Sequence, residues 1–336
     1  MWKTIEYAVP GKSHIKSGTP CQDKVRSYHK GKTTVIALAD GAGSAKLSHY
    51  GAEAVIERIT EELGEHFDDY YREEDASLIR SRLLFVILDA LESVQNRLKC
   101  DLRDLSSTLL TVAVSGSRFF LIHIGDGVIG YLKDGVIKVA TRPDNGEFTN
   151  NTVFTTSPVV ISHMRIIKGN DDMIGGFVLM SDGTESSLYN KQTGELSQGI
   201  KRIMQMTVLC SRESMYSLLK DTFFTSVMHY TQDDCSISIL ADTNAFLKYS
   251  EMTKSEKQTL LQMTVSSRYR DRRIWQTEKI MIAAARGATV DQIARYIHVK
   301  PKYVQGKLSS LIRLGLLETN QGIYYSVLDD SLTNPK

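Results

Sequence analysis

The sequence predicts an α+β protein made of a large and a small domain, and three observations support this expectation. Over residues 1–242, apolar runs rich in β-branched residues alternate with long amphipathic stretches. Residues 276–330 instead contain three short helical patterns followed by two short β-rich runs. Residues 243–275 are polar and charged, and we interpret them as a linker that is helical in part.

The large domain is predicted to mix strands and helices. Apolar residues spaced three or four apart predict a helix after Ser44, one over 77–98 and two more within 195–228. Asp134-Gly135 lies between two β-rich runs and predicts a hairpin turn. Strands are predicted at 33–39, 108–114, 119–124, 128–132, 136–140, 177–180 and 235–240.

The small domain is predicted to contain three helices and a hairpin. The helices are expected at 277–286, at 290–298 behind the capping residue Thr289, and from Pro301 to near Gly315. Strands are expected at 316–318 and 323–327. Three helices followed by a hairpin is the plan of a winged-helix domain.

Composition excludes several classes of protein. Hydrophobic residues make up 42% of the chain and charged residues 24%, as in packed globular proteins. The four cysteines lack CxxC spacing, which argues against a zinc site or a disulfide framework and favours a reducing cytoplasm. The longest apolar run, 83–88, is far shorter than the ~20 residues of a membrane-spanning helix, so we expect no membrane association.

Charge is distributed unevenly along the chain. The whole chain carries a formal charge of +2, but residues 265–320 hold eleven Lys or Arg against four Asp or Glu, a net of +7, which leaves −5 for the remainder. A basic winged-helix unit is a candidate DNA reader, because such domains place a helix in the major groove. Docking of a protein partner, or of the large domain itself, explains the same charge, and these alternatives stay open. The candidate DNA contacts on the third helix are Lys300, Lys302, Gln305 and Lys307.

Four aspartates of the large domain lie where a predicted strand begins or ends. Asp40, Asp126 and Asp182 follow strands, each within a glycine-containing turn, and Asp233 precedes the last strand. Clustered carboxylates repel one another unless they are protonated or bound to a metal, and oxygen ligands without Cys or His suit Mg²⁺ or Mn²⁺. Asp-Gly is also a common turn dipeptide, so spacing alone leaves a metal site and ordinary turns as alternatives.

Seven short motifs follow one another along residues 5–241. They are Gly11-Lys-Ser-His14, Gln22-Asp23, Ala39-Asp40-Gly41-Ala-Gly43, Ser107-Thr108-Leu109, Ile124-Gly125-Asp126, Leu179-Met-Ser-Asp182-Gly183 and Asp233-Asp234-Cys-Ser236. Each motif alone is weak, but the ordered set resembles the metal-dependent protein phosphatases of the protein phosphatase 2C family, in a divergent bacterial form. The resemblance implies a sandwich of two antiparallel sheets flanked by helices. It also implies hydrolysis of phosphoserine or phosphothreonine in a protein phosphorylated by a cognate kinase.

The resemblance implies a role for each motif residue. Asp40 would bridge two Mg²⁺ or Mn²⁺ ions, the carbonyl of Gly41 would bind the second ion, and Asp182 and Asp233 would bind the first. Asp126 would hold a weaker third ion together with Asp182. Because a water shared by the metals would attack the phosphorus in line, Asp40, Asp182 and Asp233 are the candidate catalytic residues.

Three departures from the family pattern concern the site. Gln22 stands where the family has a metal-binding Glu, so the second ion would take an amide oxygen from Gln22 or a carboxylate oxygen from Asp23. The phosphate-binding Arg of eukaryotic members has no counterpart, and we expect His14 or Lys12 to contact the phosphate instead. Ala42 replaces a His that is proposed as a general acid in eukaryotic members.

Two hypotheses of function follow. In the first, the chain is a metal-dependent serine/threonine phosphoprotein phosphatase with a winged-helix accessory domain for DNA or protein. In the second, it is a winged-helix DNA-binding regulator whose phosphatase-like domain serves mainly as a sensor or scaffold, a reading that the neutral side chain of Gln22 favours.

Overall fold

Two five-stranded antiparallel sheets form the centre of the large unit, which comprises Met1–Met204 and Leu219–Ala245. A computed structural model of the chain describes residues 1–144, 152–170, 172–263 and 267–328. One sheet consists, in spatial order, of β1 (Trp2–Val9), β12 (Cys235–Asp242), β9 (Ile174–Met180), β6 (Val128–Lys133) and β7 (Val136–Thr141). The other consists of β2 (Lys24–Lys30), β3 (Thr33–Ala39), β4 (Leu109–Ser115), β5 (Arg118–Ile124) and β8 (Arg165–Asn170).

Two long helices cover the second sheet, and shorter elements complete the unit. The long helices are α2 (Ser48–Arg72) and α3 (Ala76–Leu98). A short ribbon pairs β10 (Tyr189–Asn190) with β11 (Glu195–Leu196). The other helices that lie wholly within this unit are α1 (Lys12–Ser17), α4 (Val160–His163) and α5 (Asp182–Leu188). Helices α6 (Gly199–Leu209) and α7 (Arg212–Thr225) are each divided between the two units.

Strand β3 shows how the layers are held together. All seven of its residues are buried, because both of its faces are covered. Val35 and the alternate residues after it pack with α2 and α3 in one core cluster. Ile36 and Leu38 point the other way and pack in a second cluster with Phe177 of the opposite sheet. Burial on both faces explains why the strand is a continuous apolar run rather than an alternating one.

The predicted strands and the second long helix are confirmed to within a few residues, but the start of the first long helix is wrong. Helix α2 begins at Ser48 and not directly after Ser44. The amide of Ala45 donates to the carbonyl of Ala42, so the chain around Ser44 is a turn and leaves the helix to start one turn later. Helix α3 has the Asp75 carboxylate as its cap, accepting from the amides of Ser77 and Leu78.

The small unit comprises Gln205–Leu218 and Phe246–Lys336. Thr289 caps the second predicted helix, and Pro301 occupies the first turn of the third, as the sequence predicts. Besides its parts of α6 and α7, the small unit contains α8 (Lys254–Leu260), α9 (Ser267–Ala283), α10 (Val290–Tyr296), α11 (Pro301–Arg313), β13 (Leu317–Asn320) and β14 (Ile323–Ser326).

The first helix predicted for the small domain, at 277–286, corresponds to α9, which begins ten residues earlier at Ser267. Ile274, Thr277 and Ile280 are buried along one side of it, so the helical spacing starts inside the charged stretch. Residues 243–275, interpreted above as a linker, therefore contain α8 and the N-terminal half of α9. The domain boundaries at 242 and 276 stay predictions, and residues 329–330 of the predicted 276–330 domain lie outside the described residues.

The described helices include none that combines the length and the apolar character needed to cross a membrane.

Candidate active site

The strand directions place Asp40 and Asp126 at the same edge of one sheet and Asp182 beside Asp233 at the edge of the other. Strands β3 and β5 both run antiparallel to β4, so Asp40 and Asp126 follow at the same edge of one sheet. In the other sheet, Ile237 of β12 pairs with Met180 of β9, so the start of β12 lies beside the end of β9. Asp182 and Asp233 therefore also lie close to each other.

The electrostatics join these four aspartates into one cluster with a fifth. Burial raises the pKa of the Asp40 carboxyl well above its usual range, and the charges of Asp23, Asp182, Asp126 and Asp233 raise it further, in that order. Burial, followed by Asp126 and Asp233, raises the pKa of Asp182 to about 6. All five carboxylates are therefore close enough for their charges to interact, although no two of them share a strand.

Asp23 is the most buried member of this carboxylate cluster. Its side chain lies directly before β2 and is 1% exposed. Neither carboxylate oxygen has a hydrogen-bond partner of good geometry among the described residues. Burial raises the pKa of Asp23 to about 7, with Asp234 and Asp182 adding to the rise, and the hydroxyls of Ser236 and Ser181 offset part of it. A buried carboxylate with so few donors is a candidate cation ligand.

Gln22 and Gly41 lie against each other beside the carboxylate cluster. The amide of Gly41 donates to the main-chain carbonyl of Gln22 at 3.3 Å. The side-chain nitrogen of Gln22, which is 5% exposed, donates to the carbonyl of Ala45 at 3.4 Å. This bond orients the side-chain amide, whose oxygen is the one that Gln22 can offer to an ion.

Asp234 has a different environment from the other carboxylates, and sequence reasoning missed its role. Its Oδ1 accepts from the amide of Gly11 at 2.7 Å and lies 2.8 Å from Nδ1 of His14. Its Oδ2 accepts from the amide of Gln22 at 2.6 Å. The side chain is 3% exposed, so these donors satisfy a buried charge. The Asp233-Asp234 dipeptide is the one signal in the sequence that could have drawn attention to it.

Two glycines allow main-chain segments to approach Asp233 and Asp234 closely. A Cβ on Gly11 would lie 2.3 Å from the carbonyl carbon of Asp233, and one on Gly183 would lie 2.0 Å from the carbonyl oxygen of Asp234. Any larger residue at either position would push α1 or α5 away. The close packing explains why both glycines belong to the motifs of the sequence.

The two residues expected to contact phosphate lie on α1. Lys12 is exposed at the start of this helix. His14 is 17% exposed and is bonded to Asp234. Helix α1 is fixed to the segment before β12, because the amide and the hydroxyl of Ser13 both donate to the carbonyl of Gln232, at 3.1 and 2.6 Å. Lys12 and His14 therefore lie on the helix that packs against the Asp233-Asp234 segment.

The oxygen ligands of the site suit a hard cation, but the described side chains alone do not surround one. Among the described residues, both oxygens of Asp23 and Oδ1 of Asp182 are buried without a hydrogen-bond partner of good geometry, so a cation would satisfy them. In the described part of the chain, however, no three His, Cys, Asp or Glu side chains converge on a common point that could hold an ion by themselves. Mg²⁺ commonly binds through one or two carboxylates and several waters, so this geometry fits a site that water completes.

Comparison with known proteins identifies relatives of the large unit. A family model described as protein phosphatase 2C matches residues 10–222. Serine/threonine-protein phosphatase 3 of Escherichia coli (strain K12) is 27% identical over 178 residues, which cover 48% of this chain and 66% of that protein. The chain thus spans slightly less than two thirds of this curated relative.

Two solved structures share the fold. The serine/threonine phosphatase Stp1 from Staphylococcus aureus has a TM-score of 0.50 at 14% identity, over 72% of this chain and 95% of its own. The S. agalactiae serine/threonine phosphatase has a TM-score of 0.50 at 15% identity, over 72% of this chain and 99% of its own. At these identities the likeness concerns the fold alone.

In the presence of a chelator, we expect the large unit to lose stability as the pH rises from 4 to 7. Asp23 and Asp182 have pKa values raised to about 7 and about 6 in the folded chain, against 3.8 without the fold. The unfolded chain therefore binds fewer protons in this range, and the free energy of unfolding falls as the pH rises, by about 2 kcal/mol or more. Thermal unfolding at a series of pH values measures the slope.

Asp23→Asn should flatten this slope, because it removes the most strongly buried titrating group. The matched control is Asp89→Asn, which changes an exposed aspartate of α3 and should leave the slope intact. A stability that increases from pH 4 to 7 would contradict the assignment, as would an unchanged slope in Asp23→Asn.

Proposed function

Because this chain belongs to the protein phosphatase 2C family, we propose that it hydrolyses phosphoserine or phosphothreonine in a phosphoprotein with the help of Mg²⁺ or Mn²⁺. The matched domain is that of serine/threonine protein phosphatases, so the class of reaction is phosphomonoester hydrolysis. The observation that carries the proposal is a cluster of five carboxylates at one edge of the sandwich, in which the charges of the other four raise the pKa of Asp40.

The proposed ligands follow from the positions of the carboxylates. Asp40 has the central position, because its pKa responds to the other four, and we assign it as the residue shared by two ions. Asp182 and Asp233 would contribute to the first ion site, with waters filling the positions that the side chains do not reach, and Asp126 with Asp182 would form a weaker third. When bound, the ions would lower the pKa of a shared water and neutralise charge on the phosphoryl oxygens.

The second ion site is where this chain differs from its family. We propose that Asp23 supplies the negative charge that Gln22 lacks. Of the neighbouring charges, that of Asp23 raises the pKa of Asp40 most, and among the described residues the Asp23 oxygens have no hydrogen-bond partner of good geometry. The carbonyl of Gly41 and the amide oxygen of Gln22 would complete this site. Lys12 and His14 on α1 would contact the phosphate.

The substrate and the compartment are also proposals. The substrate is a protein that a cognate serine/threonine kinase has phosphorylated, since the relatives of this domain are serine/threonine phosphatases. We place the chain in the cytoplasm, because all four of its cysteines are free thiols.

Asp40→Asn should lower kcat/KM for a phosphoserine peptide with Mn²⁺ by at least about 100-fold, because it removes the charge shared by both ions. Steady-state kinetics with saturating Mn²⁺ measures the effect. The matched control is Asp134→Asn, which changes an Asp-Gly turn far from the carboxylate cluster, between β6 and β7, where φ is 54° and Asn is well tolerated. Equal activity of Asp40→Asn and Asp134→Asn would contradict the proposal.

We further propose that the small unit is a winged-helix accessory domain. Helices α9, α10 and α11 are followed directly by the β13–β14 hairpin, in which Leu317 pairs with Ser326. Val304, Leu308 and Leu311 form the buried side of α11, so the opposite side is available to a partner.

DNA binding by α11 is a second candidate function. Lys302 and Gln305 are exposed on this helix, and Lys300 is exposed at its N-cap position. Lys307 is less accessible: burial lowers its pKa, and the nearby charge of Arg273 lowers it further. The like charge of Arg273 beside Lys307 extends the basic surface to α9, and such a surface suits a polyanion.

Lys302→Ala should weaken binding of the full chain to duplex DNA and reduce the slope of log affinity against log salt by about one, because one phosphate contact is lost. Fluorescence anisotropy between 50 and 200 mM salt measures the slope. Lys220→Ala, an exposed lysine of α7, is the control and should leave the slope unchanged. An affinity without salt dependence, or one that Lys302→Ala leaves unaltered, would reject DNA and favour a protein partner.

A further inference from the structure

We infer that His14 is the general acid that protonates the leaving group, and that Asp234 positions it. This inference rests on the proposed phosphatase function and adds to it a donor for the proton that the serine or threonine oxygen must take up. It goes beyond the expectation that His14 merely contacts the phosphate.

The first support is the bond between the two side chains. Nδ1 of His14 lies 2.8 Å from Oδ1 of Asp234, and the Asp234 side chain is 3% exposed. Asp234 is itself fixed, because the amides of Gly11 and Gln22 donate to its two oxygens at 2.7 and 2.6 Å. A carboxylate held in this way accepts a hydrogen bond from Nδ1–H and thereby determines the orientation of the imidazole ring.

The second support is the position of α1. The hydroxyl of Ser13 donates to the carbonyl of Gln232 at 2.6 Å, and Gly11 lies directly against the main chain of Asp233. His14 is therefore anchored to residues 232–234, and Asp233 among them belongs to the carboxylate cluster. Asp234 itself is within electrostatic reach of Asp23.

The third support is the free edge of the imidazole ring. His14 is 17% exposed, so the ring is neither buried in the core nor freely mobile at the surface. Within the described parts of the chain, Nδ1 is the ring nitrogen that has a partner, and Nε2 has none. Because the bond to Asp234 occupies Nδ1, Nε2 is the ring nitrogen that remains available to a substrate.

The chemistry needs such a donor. The oxygen of a water forms a bond to phosphorus, and the bond between phosphorus and the serine oxygen breaks with its electron pair going to that oxygen. The serine oxygen takes the proton from Nε2 of His14 and leaves as the alcohol. The proton that the attacking water loses returns to His14 through solvent, so the products are the alcohol and inorganic phosphate. Ala42, next to Gly41, has no proton to give.

The test compares two aryl phosphates whose leaving groups differ in basicity. Phenolate is a much stronger base than p-nitrophenolate, so only phenyl phosphate, like a phosphoserine peptide, depends strongly on a general acid. His14→Gln should lower kcat/KM for phenyl phosphate about 100-fold and that for p-nitrophenyl phosphate less than about threefold. Asp234→Asn should show the same selective loss, because the ring loses the carboxylate that orients it.

The control is His29→Gln, which changes an exposed histidine of β2 that bonds Thr34 instead of an aspartate. It should leave both rates unchanged. An equal loss on both esters in His14→Gln, or no loss on either, would overturn the assignment of His14. An equal loss on both esters in Asp234→Asn alone would make that residue structural and overturn the positioning role. A wild-type chain that hydrolyses neither ester would instead overturn the proposed function, and the inference with it.

Discussion

The requirement to hold five carboxylates at one edge of a β-sandwich determines much of this structure. Like charges in a buried site repel, and their charged forms also lose hydration, so the pKa values of Asp23, Asp40 and Asp182 all rise. Flexible loops would let these side chains separate. Here the segments that carry Asp40, Asp182 and Asp233 adjoin β3, β9 and β12, whose residues are almost all buried, and this rigid core keeps the carboxylates together.

Two carboxylates in this region have nearly the same burial but opposite surroundings. Asp234 has three donors within 2.8 Å, whereas neither oxygen of Asp23 has a partner of good geometry among the described residues. Buried polar groups are normally satisfied. The contrast therefore separates a carboxylate that organises the fold from one that is available to a cation, and it supports different roles for the two residues.

The elements that the sequence predicts well are those that the core covers most completely. Strands such as β3 are continuous apolar runs because both faces are buried, and α3 has enough turns for its apolar spacing to stand out. Among the elements that the sequence misses are β1, β2 and β8, which lie at sheet edges and carry mixed residues such as KVRSYHK, and short elements such as α1, which is only six residues long. A helix of six residues has fewer than two turns, so its apolar residues cannot show a helical spacing.

The same division applies to the site. Asp40, Asp126, Asp182 and Asp233 are visible in the sequence because each adjoins a recognisable strand. The hydrogen bonds of Asp234 to Gly11, His14 and Gln22 link residues more than 200 positions apart. They depend on the pairing of β1 with β12, so no local sequence pattern predicts them. The resemblance to a family supplies the roles of the motif residues, but not the hydrogen bonds that distinguish this chain.

The claim that the clustered carboxylates form a cation site is tested most directly by calorimetric titration of Mn²⁺ into the chelator-treated full chain at pH 6. Since burial and repulsion keep protons on this cluster near that pH, an ion that binds there must displace them. Repeating the titration in buffers of different ionisation enthalpy measures the protons released. We predict saturable binding with proton release that Asp40→Asn abolishes; binding without proton release, or no saturable binding, would contradict the account.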